Sequence, residues 1–97
     1  MKFEWDPQKE NANVKKHGIS FEHSALVFND KNMLSVYDEE HSLNEDRWIT
    51  MGCTPSGEII VVSHTYRKTK TNEVIRIISS RKAVKAEVEQ YFQFSKG

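Results

Sequence analysis

Four short runs rich in β-branched and aromatic residues follow one another at 33–38, 47–54, 58–66 and 74–80, and this succession narrows the fold more than any other feature. Pro55-Ser56-Gly57 supplies hairpin-turn chemistry between the second and third runs. Runs joined this closely predict an antiparallel meander. A sheet of that size must cover a face, and the flanking segments read as the helices that do so.

The first of those segments opens with a short strand-like stretch, Phe3-Glu4-Trp5, closed by Asp6-Pro7. Asp suits a helix N-cap and Pro a first helical position. A helix over 7–17 follows, with Lys15, Lys16 and His17 complementing its C-terminal dipole and Gly18 free to turn left-handed after it. Ser20 then caps a second helix in which Phe21, Ala25 and Phe28 recur at helical spacing. At the other end, Val84, Val88, Tyr91 and Phe92 mark one apolar face of a helix over 81–94. The predicted fold is α+β, in the order β-α-α-β-β-β-β-α, as a single domain over 1–97.

Composition narrows function mainly by exclusion. No run of about 18 apolar residues is present to span a bilayer, and Met1-Lys2 leads straight into Phe3-Glu4-Trp5-Asp6 without a secretory signal. A soluble, cytoplasmic protein with no membrane partner is expected. The single Cys53 cannot form an internal disulfide and reads as a small buried hydrophobe. His17, His23, His41 and His64 lack close ligand pairs, so neither a metal nor another cofactor is expected. A phosphate-cradling glycine loop and a nucleophile elbow are also missing from the sequence.

The formal net charge of +0 conceals segregation. Between His64 and Lys85, seven cations (Arg67, Lys68, Lys70, Arg76, Arg81, Lys82 and Lys85) face one acid, Glu73. Asp38, Glu39, Glu40, Glu45 and Asp46 concentrate negative charge just before the central strands. A basic patch on a neutral chain points to a local anionic partner.

Strand alternation puts Arg76 on the side opposite Ile75 and Ile77. One reading is a structural ion pair, to Glu45 or Glu58; the other is an anion site. With Ser79 or Ser80 as the cap of the last helix, Arg81 and Lys82 fall in its first turn, where the dipole disfavours cations by about 0.3–1 kcal/mol each. Free N–H groups there, with Arg76, Arg81 and Lys82, would make a phosphate site; the alternative is a solvated basic turn. His64, Tyr66 and Arg67 end the neighbouring strand. His64 can carry a proton and Tyr66 can stack on a base, or both can be ordinary strand and core residues.

With these residues in view, the chain resembles the BrnT toxin family. The resemblance rests on Phe3-Glu4-Trp5-Asp6-Pro7, Asn13, Lys16-His17-Gly18-Ile19, Phe21, Glu45, Arg47, His64-Thr65 and Arg67, and above all on Ile75-Arg76-Ile77-Ile78-Ser79 with Arg81-Lys82-Ala83. Ser80 stands where the family more often has Ala. The resemblance implies a RelE-like fold, metal-independent RNA cleavage and arrest of translation. It also implies restraint by a ribbon-helix-helix (BrnA-like) antitoxin, through which alone operator DNA would be contacted. Arg76 and Arg81 are the expected stabilisers of phosphoryl charge. His64, ahead of His41 and Glu45, is the expected proton carrier, and Arg47, Arg67, Lys68, Lys82 and Tyr66 are expected to hold RNA. The competing reading is a non-catalytic module that binds RNA or a partner through the same basic face.

Overall fold

The computed structural model describes residues 2–95. Its elements are β1 (Lys2–Trp5), α1 (Pro7–His17), α2 (Phe21–Ser24) running into a 3-10 turn (Ala25–Asn29), β2 (Leu34–Tyr37), β3 (Arg47–Cys53), β4 (Ile59–Lys68), β5 (Glu73–Lys82) and α3 (Lys85–Phe94). The expected order holds. The five strands form one sheet in the order β1-β5-β4-β3-β2. Strands β2 to β5 are the antiparallel meander, and β1 adds to β5 in parallel, with Phe3 opposite Ile75 and Trp5 opposite Ile77.

Local chemistry builds α1 as anticipated. The Asp6 carboxylate accepts the Gln8 N–H at 2.8 Å, and Gly18, at φ 71°, ends the helix by donating its N–H to the Val14 carbonyl. Ser20 caps α2 by accepting the His23 N–H at 3.0 Å.

Two expectations need correction. Helices cover both faces of the sheet, not one. The first face carries Ile60, Val62, Ile75 and Ile77 beneath α1, α2 and the 3-10 turn, with Phe21 and Val27 fully buried. The second carries Met51, Ile59 and Val61 against Tyr91 and Val88 of α3. Asp30 joins the layers, accepting the Cys53 N–H at 2.8 Å and the Tyr91 hydroxyl.

The last helix, moreover, starts at Lys85, so neither Ser79 nor Ser80 caps it. Strand β5 runs on to Lys82 because its partners continue: Ser80 pairs with Val62 and Lys82 with Ile60. Ser80 spends its polar groups on α1 and α2 instead. Its N–H donates to Asn13 Oδ1 at 3.0 Å, and its hydroxyl meets Asn13 Nδ2 at 3.0 Å and Ser24 Oγ at 2.6 Å. Since β1 pairs only with Val74 to Ile77, Asn13 takes the place of a strand partner at the open edge of β5. That contact holds the end of α1 beside the site described next.

Gly52 explains the closeness of the 3-10 turn to β3. A Cβ there would lie 2.9 Å from both the Cβ and the carbonyl oxygen of Val27, so any side chain would force the two apart.

Candidate active site

Between His64–Ile77 and Ser63–Ser79, the β4–β5 register shifts by one residue, leaving Ile78 as an extra residue in β5. This bulge re-aims everything after it. Without it, Ser79 and Arg81 would share the buried face with Ile75 and Ile77. With it, Ser80 turns in towards Asn13, and Arg81, opposite Val61, emerges on the second face, the same one that carries Arg76.

Arg81 there borders a pocket of about 340 Å³ whose floor is Ile49 and Val61 and whose wall includes Ser63 and Ser79. Arg47 from the start of β3, Asp38 and His41 from the loop before it, and His17 from the end of α1 complete the rim. The loop is firmly closed. Asp38 N–H donates to the Arg47 carbonyl at 2.9 Å, and Arg47 N–H donates to Ser42 Oγ at 2.9 Å.

Within it, His41 Nδ1 lies 2.9 and 3.1 Å from the two Asp38 carboxylate oxygens. A carboxylate only accepts, so Nδ1 carries the hydrogen and Nε2 is left as the basic nitrogen. The Asp38 side chain is 12% exposed and that of His41 61%, an arrangement in which a shielded acid orients an accessible imidazole.

The arginines differ in how strongly they are engaged. Arg81 makes a bidentate pair with Glu87, at 2.7 and 2.9 Å, and this pairing with Arg81 holds the Glu87 carboxyl below the usual carboxylate range. Glu87 also accepts the Val84 N–H at 2.9 Å, which caps α3. Arg47 is freer: Glu45 lies 3.8 Å from its Nε, too far for a hydrogen bond, and that buried Nε has no partner. Further along the same face Glu4 holds both Arg67 and Arg76, the latter at 3.0 Å, and the two guanidiniums lower its pKa. Arg76 is thus ion-paired, but to Glu4 and not to Glu45 or Glu58.

The remaining expected site residues fall elsewhere. His64 is fully buried on the first face, with Nε2 2.6 Å from Thr50 Oγ1 and its ring edge-on to Phe28. It does not line the Arg81 pocket. Burial holds its imidazole down at about 4, so it is neutral at physiological pH. Tyr66 sits edge-on to His64 and Trp48 and is 38% exposed. Lys82 lies 3.7 Å from Glu58. Lys68 is exposed at the end of β4.

The His64 environment predicts acid sensitivity. The folded-state pKa, about 4, lies below the ordinary 6.5, so the unfolded chain takes up the proton first as pH falls. The stability owed to neutral His64 is complete above pH 6.5 and is lost on the way down to pH 4, by about 3 kcal/mol at 1.36 kcal/mol per unit. Urea unfolding at pH 7, 5.5 and 4.5 measures this, and His64→Gln, although less stable at pH 7, should show a shallower acid decline.

His17 is the poorly legible member, and His41, a candidate proton carrier behind His64 on sequence, shows its orientation only in the structure. His17 reads as a helix-ending cation, although it lies within the Lys16-His17-Gly18-Ile19 block, and His41 sits in an acidic loop whose closure no spacing announces. Among the described residues, no three His, Cys, Asp or Glu side chains converge as a metal-ligand set, and no helix is long and apolar enough to cross a membrane.

Residues 5–87 match the family model described as the ribonuclease toxin BrnT of type II toxin-antitoxin systems. The crystal structure of the Brucella abortus ribonuclease toxin BrnT shares the fold, with a TM-score of 0.58 and 24% identity over 88% of this chain and 99% of that one. No curated protein matches the sequence.

Proposed function

The chain belongs to the BrnT family of ribonuclease toxins of type II toxin-antitoxin systems, and on that premise we propose that its active site is the Arg47–Arg81 pocket, cleaving RNA without a metal ion. The observation that carries this reading is the convergence, on one rim, of two guanidiniums and an imidazole already oriented by a shielded carboxylate.

In the proposed reaction His41 Nε2 takes the proton of a ribose 2′-hydroxyl, whose oxygen attacks the adjacent phosphorus. The bond from phosphorus to the 5′-oxygen of the next nucleotide breaks, and that oxygen receives a proton, for which His17 across the pocket is the candidate donor. The products are a 2′,3′-cyclic phosphate and a 5′-hydroxyl. Arg47 and Arg81 act on the charge that builds on the non-bridging oxygens, where preorganised donors are worth more than in bulk water. Binding the phosphate draws Arg81 from Glu87, which otherwise keeps the guanidinium in place.

Arg76 and Arg67 extend the basic track beyond the pocket and hold flanking phosphates, while Lys68, at the end of β4, adds positive charge from the other side of the strand. Glu45, 3.8 Å from Arg47, positions that side chain. Tyr66, packed on Trp48 and His64, and Lys82, beside Glu58, stand on the other face of the sheet, and His64 supports the site from within the fold. In the cell, RNA loss arrests translation in the cytoplasm until an antitoxin of the ribbon-helix-helix class binds, and operator DNA is met only through that complex. The chain acts as a single domain.

Incubating the purified protein with single-stranded RNA in EDTA tests this. Fragments ending in 2′,3′-cyclic phosphate are expected. RNA that is bound with steep salt dependence yet stays intact, with or without Mg²⁺, would favour the binding module instead.

A further inference from the structure

Resting on that reading of the pocket, the second face of the sheet carries one more feature. Five strands at about 4.8 Å spacing make a face about 19 Å across, whereas a helix is about 10 Å in diameter. The single helix α3 leaves the β2 side of this face open. What lies there is a trough of about 340 Å³ between β2 and α3, lined by Leu34, Val36, Ile49, Met51, Val61 and Phe94. Val36 is 59% exposed and Phe94 62%, unusual for two large apolar residues facing one hollow.

The trough is continuous with the proposed active site. Ile49 and Val61 line both hollows, and Glu87, on the trough wall, is the residue that grips Arg81. An occupant would therefore meet apolar surface along most of its length and the cations Arg81 and Arg47 at one end. That profile suits an amphipathic helix with an acid near one terminus. It does not suit RNA, whose phosphates gain nothing from Leu34, Val36 and Phe94.

We propose that this trough seats an amphipathic helix of the antitoxin, its apolar stripe on Val36, Ile49 and Phe94 and its acidic end at Arg81, so that one contact both anchors the partner and closes the pocket. The helix supplies the missing half of the layer over this face.

The test uses the full-length toxin and the antitoxin of its own operon. Val36→Glu and Phe94→Glu alter exposed positions outside the catalytic rim, and Phe92→Glu alters the other side of α3, where Phe92 is 53% exposed. Calorimetry should give at least about a tenfold weaker Kd for Val36→Glu and Phe94→Glu, as expected for anchor residues, and an unchanged one for Phe92→Glu. RNA cleavage by all three should match the parent, and growth arrest by the first two should escape the antitoxin. Unchanged Kd for the trough variants overturns the proposal. So does cleavage lost with Kd intact, which would give the trough to RNA, or a parent dimer that falls to monomer with Kd intact, which would give it to a second copy. A parent that binds antitoxin through Val36 yet never cuts RNA would leave this surface standing and bring down the proposed activity alone.

Discussion

Arg81→Ala should lower kcat for RNA cleavage by about 10²–10³-fold, the usual cost of removing one preorganised donor from a developing oxyanion. The fold should survive, because the Arg81 side chain is 44% exposed and its pair with Glu87 is worth about 1 kcal/mol at most after solvent screening. Arg76→Ala is the informative contrast. Arg76 shares the face but is tied to Glu4 and does not line the pocket. Its loss should raise KM with kcat nearly unchanged, since it removes binding common to substrate and transition state. Single-turnover kinetics on both variants separates the two roles. Equal kcat losses would move the reacting phosphate towards the middle of β5.

His41→Ala should cost about 10²–10⁴-fold in kcat, the range for a positioned general base. The side chain is largely exposed, so circular dichroism and thermal unfolding should be close to parent, and added imidazole should restore part of the rate. Asp38→Asn tests the positioning role. The amide keeps the shape but can donate to Nδ1, which favours the tautomer with the hydrogen on Nε2. A lower kcat with KM preserved is expected, and a variant as fast as the parent would show that His41 needs no orientation. His64→Gln, by contrast, should act through stability: at a pH and temperature where it is folded, its kcat should be near parent.

Where local rules decide the structure, the sequence was legible. Asp6-Pro7, Gly18 and Ser20 place the ends of α1 and the start of α2 because caps and turn residues act over two or three positions. The alternation of Ile75, Arg76 and Ile77 puts Arg76 on the side it occupies. What defeated sequence reasoning was non-local.

The bulge at Ile78 has no signature in a run of strand-forming residues, yet it decides which face receives Arg81. Ser79-Ser80 has the composition of a helix cap, but the pairing of β5 with β4 extends the strand past both, and Asn13, 67 positions away, satisfies Ser80. The apparent oddity of cations in a helix first turn then disappears, because Arg81 and Lys82 are strand residues. His64 lies in a strand and carries the chemistry of a base, and only the packing of Phe28 above it reveals that it is buried. His41, ranked behind His64 as a proton carrier on sequence, takes the leading place only when Asp38 and Arg47 close its loop.

In the proposed site the scissile phosphate sits between Arg47 and Arg81 with His41 at the attacking oxygen. A crystal structure with a short RNA bearing a 2′-O-methyl group at the cleavage position tests it most directly. A phosphate bridging the two guanidiniums is expected, with His41 Nε2 within about 3–4 Å of the blocked 2′-oxygen, near the reach a general base requires. A phosphate lodged instead at Arg67 and Arg76, with the Arg81 pocket empty and Glu87 still holding Arg81, would contradict it.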